Sequence, residues 1–167
     1  MIKLEILGKV IKYGDNIDTD VIIPSKYLVL TNPSDLAKHA MEGFDSSFIN
    51  KCKDAIIVAG NNFGCGSSRE QAPIALKYSN IRCIVAKSFA RIFYRNAINI
   101  GLPVLESEYL CDLVEDGDDL SIQLEEGKIL NLTRNKIIRA QHLPDFILEL
   151  IEKGGLLNKL KILMAKD

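Results

Sequence analysis

"AIIVAGNNFGCGSSREQAPIALKYSNIRCIVAK", residues Ala55–Lys87, carries the punctuation of a βαβ unit. Ala55–Gly60 is a short unbroken apolar run, the pattern of a strand buried on both faces of a sheet. A glycine-rich loop follows, then helical spacing around Ile74–Tyr78, then a second buried run at Cys83–Lys87. Parallel strands need such a crossover, so the stretch sets the fold class as α/β. Within the loop, Gly64 and Gly66 permit positive φ and close backbone approach, which lets several N–H groups face one anion. The helix behind them adds unpaired amides and the positive end of its dipole. Ser68 and Gln71 have capping-box spacing, with Pro73 placed to delay or bend the first turn. Arg69 supplies a planar fork suited to carboxylate or phosphate. The loop reads as an anion receptor, with a purely structural turn as the plainer alternative.

Nucleotide binding fits poorly. The dinucleotide fingerprint needs a third glycine where Arg69 stands, and the next strand ends on Lys87 rather than an acid. A Walker loop would need Gly-Lys followed by Ser or Thr, which is absent.

Outward from this unit the pattern continues. "FARIFYRNAINIG" (Phe89–Gly101) has helical spacing and a glycine stop, and "LPVLE" (Leu102–Glu106) reads as a third strand of the same sheet. Upstream, "IKLEILGKVIKYG" (Ile2–Gly14) alternates as a strand does. Downstream, Asp119–Arg134 alternates around Glu126-Gly127, which predicts a hairpin. Leu143–Gly155 predicts a helix stopped by paired glycines, and Leu156–Asp167 a last short helix that frays at its end. No repeat or linker interrupts the chain. The expectation is a single domain over residues 1–167, with parallel βα units in the middle and β-rich flanks.

Composition narrows the function classes. The chain has 167 residues, enough for a core without metal or disulfide staples. Lys plus Arg number 21 and Asp plus Glu 22, a near balance that argues against a nucleic-acid partner. No run predicts a membrane span or a signal peptide, so the cytoplasm is the expected compartment. The 4 cysteines (Cys52, Cys65, Cys83 and Cys111) lack C-x-x-C spacing, and only 2 histidines accompany them. No cofactor-binding or metal residue is therefore expected from this chain alone. The thiols read as reduced, with Cys65 as a small packing residue of the glycine loop.

A second unusual stretch is "YGDNIDTDVIIPSKYLVL", Tyr13–Leu30. Asp15, Asp18 and Asp20 imitate the start of a calcium loop, but the glycine and terminal glutamate of an EF-hand are missing. A solvated acidic turn before a strand is the plain reading.

Taken together, "GDNIDTDVIIPSKYL" (Gly14–Leu28), "GNNFGCGSSRE" (Gly60–Glu70) and "AKSFARIFYRNAINIGLPVL" (Ala86–Leu105) resemble the family of 3-isopropylmalate dehydratase small subunits, the swivel-domain relatives of aconitase. The resemblance covers well over half the chain, with one departure: Gln71 stands where many relatives have histidine. It implies a single swivelling β/β/α domain like the aconitase C-terminal domain. It also implies a hydro-lyase that isomerises 2- and 3-isopropylmalate in leucine biosynthesis, active only with a large subunit in a heterodimer or heterotetramer. The [4Fe-4S] cluster would belong to that large subunit. By the same resemblance Ser67 takes the proton as an alkoxide, Ser68 hydrogen-bonds the substrate carboxylate, Arg69 clamps it, and Asp20 orients groups nearby.

Substrate-binding residues implied alongside are Gly64, Gly66 and the segment Tyr27, Leu28, Val29 and Leu30. Relatives acting on substrates with an extra carboxylate tend to carry arginine where Val29 stands, so valine favours an isopropyl group. Ordinary loop packing is the plain alternative for Val29. The competing functions are a homoaconitase or related hydro-lyase (homocitrate, dimethylmalate, citraconate) and a non-catalytic anion-binding module that needs no partner.

Overall fold

A computed structural model describes residues 4–166. Seven strands form one sheet: β1 (Glu5–Lys12), β2 (Ile56–Ala59), β3 (Cys83–Ala86), β4 (Val104–Glu106), β5 (Asp119–Gln123), β6 (Lys128–Asn131) and β7 (Lys136–Arg139). Their spatial order is β4-β3-β2-β1-β5-β6-β7. The helices are α1 (Thr19–Ile22), α2 (Pro33–Ala37), α3 (Phe48–Lys51), α4 (Gln71–Tyr78), α5 (Arg91–Asn99), α6 (Leu110–Leu113), α7 (Asp145–Glu152) and α8 (Leu156–Met164). A 3-10 turn spans Ser25–Tyr27.

β1 joins two kinds of sheet. Its C-terminal half, Val10–Lys12, runs parallel to Ile56–Val58 of β2. Its N-terminal half, Glu5–Lys9, runs antiparallel to Gln123–Asp119 of β5. β2, β3 and β4 continue the parallel half, and β5, β6 and β7 form an antiparallel meander.

The parallel strands are buried on both faces, as their unbroken apolar runs require. Alternate residues take opposite sides. Ile57, Ile84 and Val104 pack with Leu36, Phe48 and Leu76. Ile56, Val58 and Val85 pack instead with Leu110, Ile122 and Leu148. Among the described residues no helix is long and apolar enough to cross a membrane.

The βαβ reading of Ala55–Lys87 is borne out, and so is the hairpin turning through Leu124–Gly127. Gly154 and Gly155 close α7 by returning N–H groups to the carbonyls of Ile151 and Leu150, as helix-stopping glycines do. The capping box is a correction. α4 begins at Gln71 after Glu70, and no side chain caps it. Pro73 sits in the first turn, where its missing N–H would have had no intrahelical partner, so it neither delays nor breaks the helix. The short helices α1, α2 and α3 and the strand β7 lack the length or alternation that marks an element in sequence.

The antiparallel flank is pinned by Asp118. Its Oδ2 accepts from the Glu115 N–H (3.0 Å), Asn131 Nδ2 (2.9 Å) and Arg134 Nε (2.7 Å). Burial alone would raise this carboxyl, but the three donors outweigh it and hold it at about 2. A free aspartate titrates near about 3.9. The stability from this depressed carboxyl is thus complete above that value and is lost as pH falls through about 2. Asp118→Ala is expected to cost on the order of 3 kcal/mol at neutral pH, because the buried Asn131 amide and two partly buried donors, the Arg134 guanidinium and the Glu115 N–H, lose their acceptor. Urea unfolding should show that deficit shrinking between about pH 4 and pH 2, over the interval separating the two carboxyl values.

Candidate functional site

The site lies where the parallel strands end, the usual location for ligands in open α/β sheets. Past β1 and β2 the backbone pairing does not stop. The Asn16 N–H donates to Asn61 O (2.8 Å), Gly64 N–H to Ile17 O (2.8 Å) and Thr19 N–H to Cys65 O (2.9 Å). Asp18 and Cys65 form an isolated parallel bridge. On the other side Phe63 bridges Phe89: the Phe63 N–H donates to Ser88 O (3.0 Å) and the Ala90 N–H to Phe63 O (2.9 Å). The glycine loop is therefore the middle of three extended segments, clamped along both edges.

The two loop glycines are required by shape. Gly64 has φ +80°, and a Cβ there would run into the Phe93 ring. Gly66 has φ +87°, and a Cβ there would strike the Asp18 carboxylate. Phe63, Phe89 and Phe93 pack together, with Phe63 edge-on to the other two and ring centroids 5.3–6.3 Å apart.

The three aspartates of the first motif do separate structural jobs. Asp15 Oδ1 accepts from the Asn61 N–H at 2.6 Å. Asp18 caps α1 by accepting the Asp20 N–H at 2.7 Å. Asp20 pairs with Arg69 Nη1, which also donates to the Ile23 carbonyl at 3.3 Å. The Arg69 side chain is only 15% exposed, so its guanidinium is held by a carboxylate on one loop while it is carried by the other. Buried Thr19 adds a further tie, its Oγ1 donating to Ser67 O at 2.8 Å.

A cavity of about 370 Å³ opens between the glycine loop and the start of α5. Gly64, Gly66, Ser67, Ser68 and Arg69 line one side; Ala90, Arg91, Ile92, Phe93 and Asn96 line the other. Both serines are exposed. Among the described residues the backbone N–H groups of Gly66, Ser67, Ser68 and Arg69 donate to no protein acceptor. Hydroxyls, free amides and guanidinium groups together suit a small carboxylate.

The structure thus brings Gly64, Gly66, Ser67, Ser68 and Arg69 to one cavity and ties Asp20 to it through Arg69. Tyr27, Leu28, Val29 and Leu30 do not line it. They follow α1 on the far side of Ile23, where Tyr27 stacks on His39 at 3.7 Å and Val29 stands 82% exposed. Thr19, Arg91 and Asn96 escaped the sequence reading. Thr19 was legible as the middle of "DTD", but nothing in the pattern marked the start of α5 as a cavity wall.

Among the described residues no group of three or more His, Cys, Asp or Glu side chains converges to hold a metal. Burial, reinforced by the Asp18 carboxylate, raises the Cys65 thiol above its ordinary value and favours its neutral form.

Fold and site together define the class, for residues 13–108 match the model of the aconitase C-terminal domain. A 3-isopropylmalate dehydratase small subunit from Caldanaerobacter subterraneus subsp. tengcongensis is 59% identical over 152 residues, covering 90% of this chain and 94% of that one. An isopropylmalate/citramalate isomerase small subunit from Methanocaldococcus jannaschii is 52% identical over 163 residues, 97% of each chain. A crystal structure of 3-isopropylmalate dehydratase from the same organism superposes with a TM-score of 0.90 at 47% identity, covering 98% of this chain and 99% of that one. The chain belongs to the 3-isopropylmalate dehydratase small-subunit family, within the aconitase C-terminal domain class.

Gly64→Ala is the direct check on the loop's geometry. A left-handed alanine driven into the Phe93 ring should cost about 2–5 kcal/mol. Chemical denaturation reads that loss, and a variant as stable as the parent would contradict the close approach.

Proposed function

We propose that this chain is the small subunit of a 3-isopropylmalate dehydratase. In this reading it supplies the proton-transfer half of a hydro-lyase site that interconverts 2- and 3-isopropylmalate through an alkene. One observation carries the proposal: Thr19–Asp20 and Ser67–Arg69, far apart in sequence, meet at one cavity, with Arg69 paired to Asp20.

The reaction removes a weakly acidic C–H proton next to a carboxylate and expels hydroxide from the neighbouring carbon. Ser67 takes that proton as its alkoxide and returns it during rehydration. An alkoxide is far too basic to persist in water, so it needs donors fixed in advance. The free amides of Gly66–Arg69 and the Arg69 guanidinium provide them. Ser68 hydrogen-bonds the substrate carboxylate as negative charge grows on it, and Arg69 clamps that group. Asp20 holds the guanidinium at one angle, so its remaining N–H groups stay aimed at the cavity.

The donors around this cavity, hydroxyl and guanidinium without thiolate, suit an oxyanion and not iron. As the family resemblance implies, a [4Fe-4S] cluster would be carried by the large subunit, in a heterodimer or heterotetramer. When bound, it supplies Lewis-acid polarisation of the departing hydroxyl.

Val29 lies outside the cavity on this chain and its side chain projects into solvent, so its apolar contact with an isopropyl group would form only once the large subunit completes the site. Burying two methyls is worth only about 1–2 kcal/mol. The stronger discrimination is that a substrate with an extra carboxylate would find no partner at Val29.

In the complex reconstituted with a large subunit, Ser67→Ala should abolish most turnover while leaving unfolding free energy and subunit association unchanged. Retained turnover would refute Ser67 as the base. Val29→Arg should shift kcat/KM toward tricarboxylates, and unchanged selectivity would remove that residue from substrate choice. The isolated chain should show neither activity nor tight binding of a hydroxy-acid, as a self-sufficient anion-binding module would.

A further inference from the structure

The charge balance of the cavity is incomplete without α5. Isopropylmalate is a dianion, with carboxylates on adjacent carbons. Of the residues lining the cavity, only Arg69 and Arg91 carry charge. Arg69 is neutralised by Asp20, and the same Nη1 also serves the Ile23 carbonyl. That pair can orient one carboxylate, but it brings no net positive charge. Arg91 differs: it is exposed, lines the cavity opposite Ser67 and Ser68, and has no carboxylate partner among the described residues.

Its position follows from the fold. Arg91 is the first residue of α5, held there because the Ala90 N–H donates to Phe63 O in the glycine loop. Phe93, two residues on, packs under Gly64. The base of the Arg91 side chain is thus tied to the loop that carries the serines. Asn96, also on α5, adds a polar group to the same wall, and Ile92 and Phe93 make the surface between them apolar. The cavity therefore has two polar walls: serines, amides and a neutralised guanidinium on one, an uncompensated guanidinium on the other.

Resting on the function proposed above, we infer that Arg91 is a substrate-binding residue that pairs with the carboxylate remote from Arg69, and that it makes the site select dicarboxylates. The Ser67 side of the cavity handles the carboxylate beside the reacting C–H. Arg91 fixes the other end of the molecule, so that the proton to be removed lies over the hydroxyl at position 67.

The test uses the assembled two-subunit enzyme with wild-type chain, Arg91→Gln and Arg91→Lys. Association with the large subunit is measured first, and all kinetics are run at saturating large subunit. Arg91→Gln should raise KM for isopropylmalate about 10- to 100-fold, the worth of a charge-assisted pair, and change kcat much less. Against the monoester of the remote carboxylate the same variant should lose almost nothing, and Arg91→Lys should fall between. Equal losses on both substrates, an unchanged KM, or an effect confined to subunit association would overturn the assignment. Equilibrium binding of 2-isopropylsuccinate, which lacks the hydroxyl and cannot react, reads the same contrast without turnover. A wild-type complex that binds this probe but turns over nothing would therefore refute the reaction, while the comparison with Arg91→Gln still decides the role of Arg91.

Discussion

Everything at the site depends on the continuation of parallel pairing beyond the ends of the strands. Ile17–Thr19 hydrogen-bonds one edge of the glycine loop, and Ser88–Ala90 bonds the other. Each such bond is worth only about 1 kcal/mol net, but together they fix a segment that as a free loop would sample many conformations. Side-chain hydroxyls would be poor catalysts on a wandering loop, because a displacement of about 1 Å can cost about a hundredfold in rate. The sheet thus lends its rigidity to residues that are not in it. Gly64 and Gly66 are the condition for that, since any larger residue would push the loop off Phe93 or Asp18.

The same arrangement supports the chemistry proposed for so plain a residue as serine. A hydroxyl becomes a usable base only where donors await its anion and cannot turn away to bond elsewhere. Among the described residues the amides from Gly66 to Arg69 have no protein acceptor, because the backbone pairing that clamps the loop ends at Cys65. The Asp20–Arg69 pair works differently. It adds little net charge, and its value is orientation: a guanidinium gripped at one nitrogen presents its other N–H groups in a fixed plane.

Sequence disclosed the framework unevenly. Ala55–Lys87 was legible because its apolar runs, its glycines and the helix between them agree at every level. The hairpin about Glu126-Gly127 was equally plain. The capping box failed because spacing alone does not say where a helix begins: Ser68 belongs to the cavity and Glu70 precedes the first turn. The short α1 was hidden because four residues show no period, although Asp18 caps it as a first-turn acceptor should. Within the site, Ser67, Ser68, Arg69 and Asp20 could be picked out by motif. Thr19, Arg91 and Asn96 could not, since their relevance comes from tertiary neighbours.

On the proposed function this chain carries half of the site, and the physical form of that half says why. The serines are exposed, Asp20 is 61% exposed, and Val29 projects almost fully into solvent. Water in such an opening would screen the guanidinium groups and solvate a serine anion more evenly than any fixed donor could. On the proposed function, proton abstraction from carbon would become feasible only once that water is excluded, and among the described residues the cavity stands open. A lid of its own would have to move for each substrate. In the proposed two-subunit enzyme a partner carrying the metal would remove that need, because docking would exclude water and deliver the Lewis acid in the same event. On that proposal, splitting the chemistry between two chains would leave the exposed serines of the uncombined subunit inert, with activity only where both halves of the cavity meet.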